Sequence, residues 1–483
     1  MSPAGPVDLL VVGGGTAGIV AAKTAARLGA DAVLVEEHRT GGDCLWTGCV
    51  PSKALLAAAD VAATARDGAR YGIDVGEVHV DLARVMDHVR ASVRHIEPHD
   101  SPESIEAVGA RVLAGRARFT GPTTAEVTHT DGGTTSVEFR HAVLATGAAP
   151  TLPGIPGLAE VDPLTSDTVW DLRTDPGRLV VLGGGAIGCE LGQGLARLDV
   201  AVTVVEGAAR LLPGEDPEAS AAVTRALEAD GVAVRTGTAV ARVRPGAGVT
   251  GTLVLADGDE IAFDRLLVAV GRSPRTRDLG LEAAGVRVDE RGVVVVDDRL
   301  TTTNPRIRAA GDLTGHAQLT HVAGSHGSLA ASNAVLGLRR TTDPVVPRVT
   351  YTQPEVAAVG VATGRPRRGV RVVRLDHDEV DRAVVEARID GFTALALDGR
   401  GRIVGATVVA PRAGEMLAEL TAAVRRGDRP RDLAATIHPY PAWSDGPSNA
   451  ALVEVRAELD GPLPRRATAA LLRTRRWWTD RSD

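Results

Sequence analysis

The sequence is poor in cysteine, in long apolar runs and in net positive charge, and each scarcity excludes a class of protein. Three cysteines in 483 residues cannot form a disulfide framework. No apolar run approaches the ~20 residues of a membrane span, and no basic segment precedes the first apolar run as in a signal peptide. A net charge of -7 argues against a nucleic-acid-binding surface. We therefore expect a cytoplasmic protein, and in that reducing compartment a cysteine pair is more often catalytic or metal-binding than structural.

The chain opens with a pattern typical of a dinucleotide-binding unit. It predicts a buried strand over 9–12, a turn carrying Gly13, Gly15 and Gly18, a helix over 19–28, and a strand over 32–35 that ends at Glu36. Gly13 permits the tight turn, Gly15 lets the backbone approach a pyrophosphate, and Gly18 permits close packing of helix on strand. The amino terminus of the helix would face the phosphates, and Glu36 would accept hydrogen bonds from ribose hydroxyls.

The same pattern recurs in the middle of the chain, with Gly183, Gly185 and Gly188 after a strand and Glu206 in the position of the first acid. Two such units indicate two bound dinucleotides, and the simplest use of both is hydride transfer between them. The carboxylate of Glu206 favours a free 2′-hydroxyl over a 2′-phosphate, which predicts a preference for NADH. Arg210, four residues further on, is the residue that would instead accommodate NADPH.

Cys44 and Cys49 lie in the segment GGDCLWTGCVPSK, which follows the first unit. Zinc would need about four ligands, usually in two close pairs, and no second Cys/His cluster matches this one. The remaining interpretation is a redox-active dithiol. Pro51 suits the first turn of a helix, which would place Cys49 at the amino terminus of that helix. There the helix dipole and a nearby lysine would favour the thiolate form of Cys49. We expect Cys44 in the loop before that helix. Cys189 is predicted to be a buried packing residue.

The pattern changes at about residue 346. Alternating apolar segments such as FTALALDGRGRIVGATVVA predict an antiparallel sheet with helices, as a separate unit. The tail RRATAALLRTRRWWTDRSD contains six arginines and two aspartates. We predict a terminal helix packed on the body of the protein with its arginines in solvent. The alternative is a basic surface for a membrane or an acidic partner.

Taken together, these motifs resemble those of the FAD-dependent pyridine nucleotide-disulfide oxidoreductase family, which includes lipoamide dehydrogenase, glutathione reductase and mercuric reductase. The resemblance covers residues 7 to about 460 and rests on GGGTAG, GGDCLWTGCVPSK, ATG, GGGAIGCELG, VGRSP, AAGD and YTQPEVAAVG. It implies an α/β fold with two Rossmann-like dinucleotide-binding domains, for FAD and NAD(P), and a C-terminal α+β domain that forms a homodimer. The implied bounds are 1–150 for the first part of the FAD domain, 151–272 for the NAD(P) domain, 273–345 for the remaining FAD-binding and central part, 346–465 for the dimerisation domain and 466–483 for the basic tail.

The resemblance also implies roles for individual residues. Cys44 would attack the substrate, and Cys49 would be the thiolate that touches the flavin. Lys53 and Glu190 would form an ion pair near the flavin N5. The other residues expected to contact cofactors, besides the two glycine-rich turns and their acids, are Asp312 at the ribityl chain, Gly115 at the adenine, Gly42, Lys53, Thr146 and Gly147 for FAD, and Gly271 for NAD(P)H. No metal site is expected.

The segment TIHPYPAWSDG differs from the family pattern. Disulfide-reducing members carry a histidine followed five residues later by a glutamate, and this pair from the partner subunit handles the proton of the attacking thiol. With Asp445 in the glutamate position, the earlier residue is Tyr440, a poor base with a free pKa near 10, and a tyrosine there is similar to mercuric reductase. His438 is expected to be structural. The second cysteine pair that mercuric reductase uses to hand over its metal is missing, and Trp46 is unusual in the redox loop.

The sequence therefore predicts an FAD- and NAD(P)H-dependent oxidoreductase that passes electrons through a Cys44–Cys49 disulfide to a non-standard small-molecule acceptor, in the manner of mercuric reductase. One alternative is a dihydrolipoamide dehydrogenase or another low-molecular-weight disulfide reductase. Another is a flavin-binding scaffold, or an oxidase or dehydrogenase subunit of a biosynthetic pathway. The pattern indicates neither the physiological acceptor nor the direction of the reaction.

Overall fold

A computed structural model describes residues 5–481 of the chain, which form two compact units. The first unit comprises Met1–Ala209 and Asp230–Pro344, and the second comprises Arg210–Ala229 and Val345–Asp483. The finer division into five parts stays a prediction. Among the described residues, no helix combines the length and apolar character that crossing a membrane requires.

The first half of the chain alternates strands and helices, as parallel α/β units do. Its elements are β1 (Val7–Val12), α1 (Thr16–Arg27), β2 (Ala32–Glu36), α2 (Gly42–Trp46), α3 (Cys49–Arg66), α4 (Leu82–Ile96), α5 (Pro102–Glu106), β3 (Arg111–Ala114), β4 (Arg116–Gly121), β5 (Thr124–Thr128), β6 (Thr134–Leu144), β7 (Ala148–Pro150), β8 (Leu164–Thr165), β9 (Arg178–Leu182), α6 (Ala186–Arg197), β10 (Ala201–Glu206) and α7 (Pro217–Ala229).

The second half adds more strands and the carboxyl-terminal helices. Its elements are β11 (Ala233–Thr236), β12 (Val240–Pro245), β13 (Gly251–Leu255), β14 (Glu260–Phe263), β15 (Arg265–Val268), β16 (Arg272–Pro274), β17 (Ile307–Ala309), α8 (Thr320–Leu336), β18 (Pro347–Thr350), β19 (Glu355–Gly360), β20 (Arg371–Asp376), α9 (Asp381–Val385), β21 (Phe392–Leu397), β22 (Ile403–Ala410), α10 (Ala413–Arg426), α11 (Pro430–Ala434), α12 (Asp445–Leu459) and α13 (Pro462–Thr479).

Two sheets of the first unit carry the dinucleotide-binding patterns. One has the order β3-β2-β1-β6-β5-β4, with β17 also paired to β6, and its strands β1, β2, β3, β6 and β17 are parallel. The other has the order β11-β10-β9-β15-β8 and is parallel throughout. Parallel sheets are normally covered on both faces, which explains the continuous apolar runs of β1 and β9. Both predicted Rossmann-like units are therefore confirmed.

Helix α1 begins earlier than predicted. Gly15 is its N-cap residue in an extended conformation, so the helix starts at Thr16 and ends at Arg27. The helix is rich in alanine and packs closely against α8, where a Cβ at Gly327 would lie 2.2 Å from the carbonyl oxygen of Ala17. Small residues at this contact hold α1 against the sheet, with its amino terminus at the carboxyl end of β1.

The carboxyl-terminal part of the second unit is an antiparallel sheet in the order β18-β19-β22-β21-β20. All six residues of β21 are buried, and the core beneath the sheet includes Leu417 and Leu420 from α10. This confirms the predicted α+β domain. The prediction for the tail was wrong in one respect: helix α13 forms, but none of its residues is buried, so it does not pack on the body of the protein.

Candidate active site: two dinucleotide turns and a cysteine pair

The first glycine-rich turn brings the backbone of three segments close together. Gly13 has φ +104°, and a Cβ there would lie 2.4 Å from the carbonyl oxygen of Ala145. A Cβ at Gly18 would lie 1.8 Å from the carbonyl oxygen of Gly13. Only glycine can adopt the φ of Gly13, and only glycine fits the space at both positions. Gly15 caps α1 without a side-chain hydrogen bond, so the first turn of the helix offers its N–H groups to a ligand.

A cavity of about 660 Å³ opens in front of this turn. The cavity lies at the carboxyl ends of parallel strands, which is the usual ligand site of such sheets. The residues predicted to contact FAD that line it are Gly13, Gly15, Glu36, Gly42, Gly115, Thr146, Gly147 and Asp312. Cys44 lines the same cavity. An uncapped helix terminus and a carboxylate around one cleft fit a dinucleotide, and Cys44 places the redox segment at the same cleft.

Glu36 is held by the backbone of the turn. Its Oε2 accepts a hydrogen bond from the Gly14 N–H at 2.6 Å, and its Oε1 accepts one from the His38 N–H at 2.8 Å. These two bonds fix the carboxylate at the end of β2, where a ribose would be bound. The remaining lone pairs of the carboxylate are available to hydroxyl donors.

The second glycine-rich turn repeats this geometry. Gly183 has φ +114°, and a Cβ at Gly188 would lie 1.9 Å from its carbonyl oxygen. Glu206 accepts hydrogen bonds from the Gly184 N–H at 2.6 Å and from the Ala208 N–H at 2.7 Å. Gly185 caps α6, again without a side-chain hydrogen bond. The same contacts at both turns indicate two sites built for the same part of a dinucleotide.

Arg210, the residue considered for a 2′-phosphate, is already engaged. Its guanidinium donates to the backbone carbonyls of Leu212, Pro213 and Glu215 at 2.8–3.1 Å. Gly271, predicted to contact the nicotinamide nucleotide, has φ +132° and open space where a Cβ would be.

The two redox cysteines lie on successive helices. Cys49 is the first residue of α3, as predicted, whereas Cys44 lies in the one-turn helix α2 and not in a loop. Gly41 at φ +106° and Gly42 at φ +56° turn the chain sharply enough to start that helix. The Cys49 Sγ lies 3.1 Å from the Thr320 Oγ1 at the start of α8. Both thiols are free.

The surroundings of the two thiols favour opposite protonation states. The hydrogen bond from Cys44 is the largest cause that lowers the pKa of Cys49 to about 6, and the Thr320 hydroxyl and the Lys53 charge add to it. The same hydrogen bond and burial raise the pKa of Cys44. These surroundings favour a thiolate on Cys49 and a protonated thiol on Cys44.

Lys53 and Glu190 meet across the first unit. The Lys53 Nζ lies 2.9 Å from the Glu190 Oε2, and it also donates to the Ser52 Oγ at 3.3 Å. The Glu190 side chain is 8% exposed. A nearly buried carboxylate needs a charged partner, so this pair fixes the position of the ammonium one helical turn after Cys49.

Two arginines that the sequence analysis did not single out connect the redox segment to the cofactor cleft. Arg272 forms an ion pair with Asp43, the neighbour of Cys44, and its Nε lies 3.9 Å from the Asp312 Oδ2. Arg275 Nη1 lies 3.4 Å from the Asp43 Oδ1. Burial raises the pKa of Asp312, and Arg272 opposes that shift. The motif VGRSP contains Arg272, but the contacts of Arg272 with Asp43 and Asp312 were not predicted, because these residues are distant from it in the sequence.

Trp46 is held by two residues that precede it in the chain. Its Nε1 donates to the Thr40 carbonyl at 2.7 Å, and the Arg39 guanidinium lies 3.8 Å above its ring. The ring nevertheless lines the cavity. The next residue is anchored too, because the Thr47 carbonyl accepts a hydrogen bond from Trp170 Nε1 at 2.9 Å. Cys189 is fully buried, which confirms its predicted packing role, and burial raises its pKa to about 12.

The carboxyl-terminal segment belongs to the second unit. The Tyr440 hydroxyl donates to the Asp381 Oδ2 at 2.5 Å, which raises the pKa of Tyr440. Asp445 begins α12, and its Oδ2 accepts from the Ala442 N–H at 3.0 Å. His438 lies 3.0 Å from both carboxylate oxygens of Glu419, and its Nδ1 lies 2.9 Å from the Thr436 carbonyl oxygen. Both ring nitrogens are thus occupied.

No cluster of three or more His, Cys, Asp or Glu side chains within residues 5–481 is arranged to hold a metal ion. The fold and the site together define an oxidoreductase with two dinucleotide-binding turns and a thiol pair that includes a stabilised thiolate. Residues 7–327 match the model of the family "Pyridine nucleotide-disulphide oxidoreductase", and residues 346–451 match its dimerisation domain. The chain belongs to the pyridine nucleotide-disulphide oxidoreductase family, and as a member of it the enzyme uses FAD and NAD(P)H.

Similar proteins have two different functions. A mercuric reductase of Streptomyces lividans is 39% identical over 441 residues, which are 90% of this chain and 93% of that protein. A dihydrolipoyl dehydrogenase of Thermus scotoductus is 37% identical over 460 residues, which are 92% of this chain and 96% of that protein. Among solved structures, LpdA of Mycobacterium tuberculosis has a TM-score of 0.84 at 28% identity and covers 92% of this chain and 99% of its own. The HOCl-induced flavoprotein disulfide reductase RclA of Escherichia coli, as a Cu(II) complex, has a TM-score of 0.83 at 26% identity, with 93% and 99% covered.

Proposed function

We propose that this enzyme passes electrons between a nicotinamide nucleotide, FAD and the Cys44–Cys49 pair, and from there to an acceptor other than a standard lipoyl or glutathione disulfide. Mercuric reductase is the nearest model for such a reaction. The observation that carries the proposal comes from the sequence: with Asp445 in the glutamate position, Tyr440 takes the place of the histidine base of the disulfide reductases.

The proposed reaction cycle begins with a disulfide between Cys44 and Cys49. FAD, when bound, supplies the two-electron link between the nicotinamide and this disulfide. Reduction adds two electrons and one proton to the pair and yields a thiol and a thiolate. The proton stays on Cys44 and the negative charge on Cys49, because the Cys44 and Thr320 hydrogen bonds and the Lys53 charge stabilise that thiolate.

In the proposed cycle, Lys53 supplies positive charge near Cys49, and Glu190 keeps the lysine side chain in place. The ammonium lies within 2.9 Å of its carboxylate partner and supplies positive potential beside Cys49. Arg272 and Asp43 act as positioning residues, because their ion pair ties α2, and with it Cys44, to the strand that follows the second dinucleotide unit.

Tyr440 is unsuited to remove a proton from a thiol at neutral pH. A general base works best with a pKa near the operating pH, and the hydrogen bond to Asp381 moves the pKa of Tyr440 further up. His438 cannot replace it in the conformation described, because Glu419 and the Thr436 carbonyl occupy both of its nitrogens. We therefore propose an acceptor whose reduction does not depend on that base.

Mercuric ion, quinones and other non-disulfide oxidants are acceptors whose reduction does not depend on a histidine base. Mercuric ion has one argument against it: the chain has no cysteine after Cys189, so the second pair that hands over the metal is missing. We expect a low rate with mercuric ion at a low concentration of the ion. A dihydrolipoamide dehydrogenase is the second candidate, favoured by the 37% identity with such an enzyme.

The homodimer is also part of the proposal. The match to a dimerisation domain supports it, and closed two-fold symmetry is the commonest arrangement of such enzymes. In the proposed dimer, Tyr440 would lie near the partner subunit's Cys44. NADH is the proposed nucleotide, because the carboxylate of Glu206 favours a free 2′-hydroxyl and the Arg210 guanidinium is bound to backbone carbonyls. A cytoplasmic location remains part of this proposal.

A substrate screen tests the proposed function. The enzyme would be assayed with NADH and NADPH against lipoamide, glutathione disulfide, mercuric ion and quinones, in wild type, Cys44→Ser and Tyr440→His. We expect weak disulfide reduction by wild type, a gain with Tyr440→His, and loss of the best non-disulfide activity with Cys44→Ser.

Three results would contradict the proposal. Lipoamide turnover of about 100 per second or more by wild type would favour the dehydrogenase. Uptake of two electrons per flavin, and not the four that a flavin with a disulfide accepts, would favour a scaffold with an inactive redox segment. Full activity of a monomer would exclude the dimeric site.

A further inference from the structure

The carboxyl-terminal helix α13 lies beyond residues 346–451, which the dimerisation-domain model covers. Every residue of the helix is at least partly in solvent. Leu463 is 75% exposed, Leu471 71% and Trp478 65%. Large apolar side chains on a helix are normally buried against another element, so the helix has the composition of a docking element although these side chains are exposed.

Most of the apolar residues of α13 share one face, which spans an arc of about 120° at 100° per residue. They are Leu463, Ala467, Ala470, Leu471, Trp477 and Trp478. Thr474 lies within this arc, and Leu472 lies on the opposite side of the helix. The two tryptophans lie together at the end of the helix, with ring centroids 5.7 Å apart.

The arginines lie outside this face. Arg466, Arg473 and Arg475 border it, and Arg465 and Arg476 lie on the opposite side. No acidic residue occurs within α13, and the first one after it is Asp480. This helix is therefore strongly positive, although the chain as a whole carries a net charge of -7.

We propose that α13 binds the surface of an anionic phospholipid membrane. The apolar face would enter the boundary between headgroups and acyl chains, and the arginines at its edges would reach the lipid phosphates while their stems cover apolar surface. A tryptophan pair at one end fits this boundary, where amphipathic rings concentrate. The helix is about 27 Å long and lies in the plane of the surface, since it is not apolar enough to cross.

Charge decides between a membrane and a second copy of the chain. Two α13 helices that packed face to face would bring their bordering arginines together, and like charges at close range are unfavourable. An anionic surface neutralises the same arginines, and each one near such a surface contributes about 1 kcal/mol. The charge distribution thus fits lipid and opposes self-association through this face.

Co-sedimentation with vesicles tests the proposal. Full-length, FAD-loaded enzyme would be mixed with vesicles of phosphatidylcholine alone and of phosphatidylcholine with phosphatidylglycerol. We expect binding to the anionic vesicles, weakening with salt, and little binding to the neutral ones. The triple variant Arg473→Glu/Arg475→Glu/Arg476→Glu should lower the partition coefficient at least about 100-fold.

Two further variants separate the contributions. Trp477→Ala/Trp478→Ala should weaken binding and remove the blue shift of tryptophan emission that we expect on anionic vesicles. The matched control is Arg365→Glu/Arg367→Glu/Arg368→Glu, which changes the net charge equally at exposed positions elsewhere in the second unit. It should bind as wild type does, and NADH-dependent turnover of all variants should show that they fold.

Three results would overturn the proposal. They are no binding to anionic vesicles, equal binding to neutral and anionic vesicles, and equal loss of binding in the control variant. A chain that ends at Asp460 and has a smaller oligomeric mass than wild type, while wild type ignores lipid, would show that a second copy covers the apolar face instead.

Discussion

The strongest test of the candidate site concerns the charge on Cys49. With a pKa of about 6, about 90% of this thiol is ionised at pH 7, whereas a thiol at the ordinary value of 9.0 would be about 1% ionised. The pKa of Cys44 moves in the opposite direction. Ionisation of the reduced pair near pH 6 should therefore come from Cys49 alone.

Two matched pairs of variants measure where this stabilisation comes from. Cys44→Ser keeps a hydrogen-bond donor beside Cys49, and Cys44→Ala removes it. Thr320→Ser keeps the hydroxyl that lies 3.1 Å from the Cys49 Sγ, and Thr320→Val removes it. A hydrogen bond to a charged group is worth about 1.5–3 kcal/mol, so each loss should raise the pKa by about one to two units.

The assay is the long-wavelength absorbance that a thiolate produces beside a bound flavin, recorded against pH. NADH should produce this band in wild type, and Cys49→Ser should abolish it while FAD stays bound. The band should titrate near pH 6 in wild type and in Cys44→Ser, and near pH 7–8 in Cys44→Ala. Survival of the band in Cys49→Ser, or identical midpoints for Cys44→Ser and Cys44→Ala, would refute the reasoning.

Three other predictions follow from contacts in the two units. The kcat/KM should be about 10- to 150-fold higher with NADH than with NADPH, because NADPH cannot offer Glu206 a 2′-hydroxyl; equal values would point to Arg210. Lys53→Met should lower the free energy of unfolding by about 1–3 kcal/mol in denaturant melts, since it removes the ammonium 2.9 Å from the nearly buried Glu190 carboxylate, whereas Lys53→Arg should lower it less. Tyr440→His should raise the kcat for dihydrolipoamide, with Tyr440→Phe as its control; no gain would mean that Asp445 does not orient the new ring.

The sequence predicts those parts of the site that depend on neighbours along the chain. The glycine-rich turns, their acids and Cys49 at a helix start are local patterns, and each forms with small shifts such as the earlier start of α1 at Thr16. The dihedral angles that Gly13 and Gly183 adopt explain why glycine signals these turns so clearly.

The partners that tune the site are distant in sequence and leave no local pattern. Thr320 lies 271 positions from Cys49, and Asp381 lies 59 positions from Tyr440. Nothing around a threonine or an aspartate indicates which side chain it will meet, because the meeting depends on how α8 or α9 packs. The exposure of helix α13 was not predicted for a related reason. The apolar period of the helix is visible in the sequence, but the surface that would cover its apolar side chains is not.

The ion pair of Lys53 also has a consequence for chemical labelling. The chain contains 54 basic residues of the Lys and Arg types, and only Lys23 and Lys53 are lysines. Lys23 donates to the His99 carbonyl and to the Ser104 Oγ. An amine-selective reagent, which modifies most enzymes at many side chains, has two lysine targets in this one. Protection of Lys53 by bound FAD would thus be readable by mass spectrometry from a single peptide, with Lys23 as an internal reference.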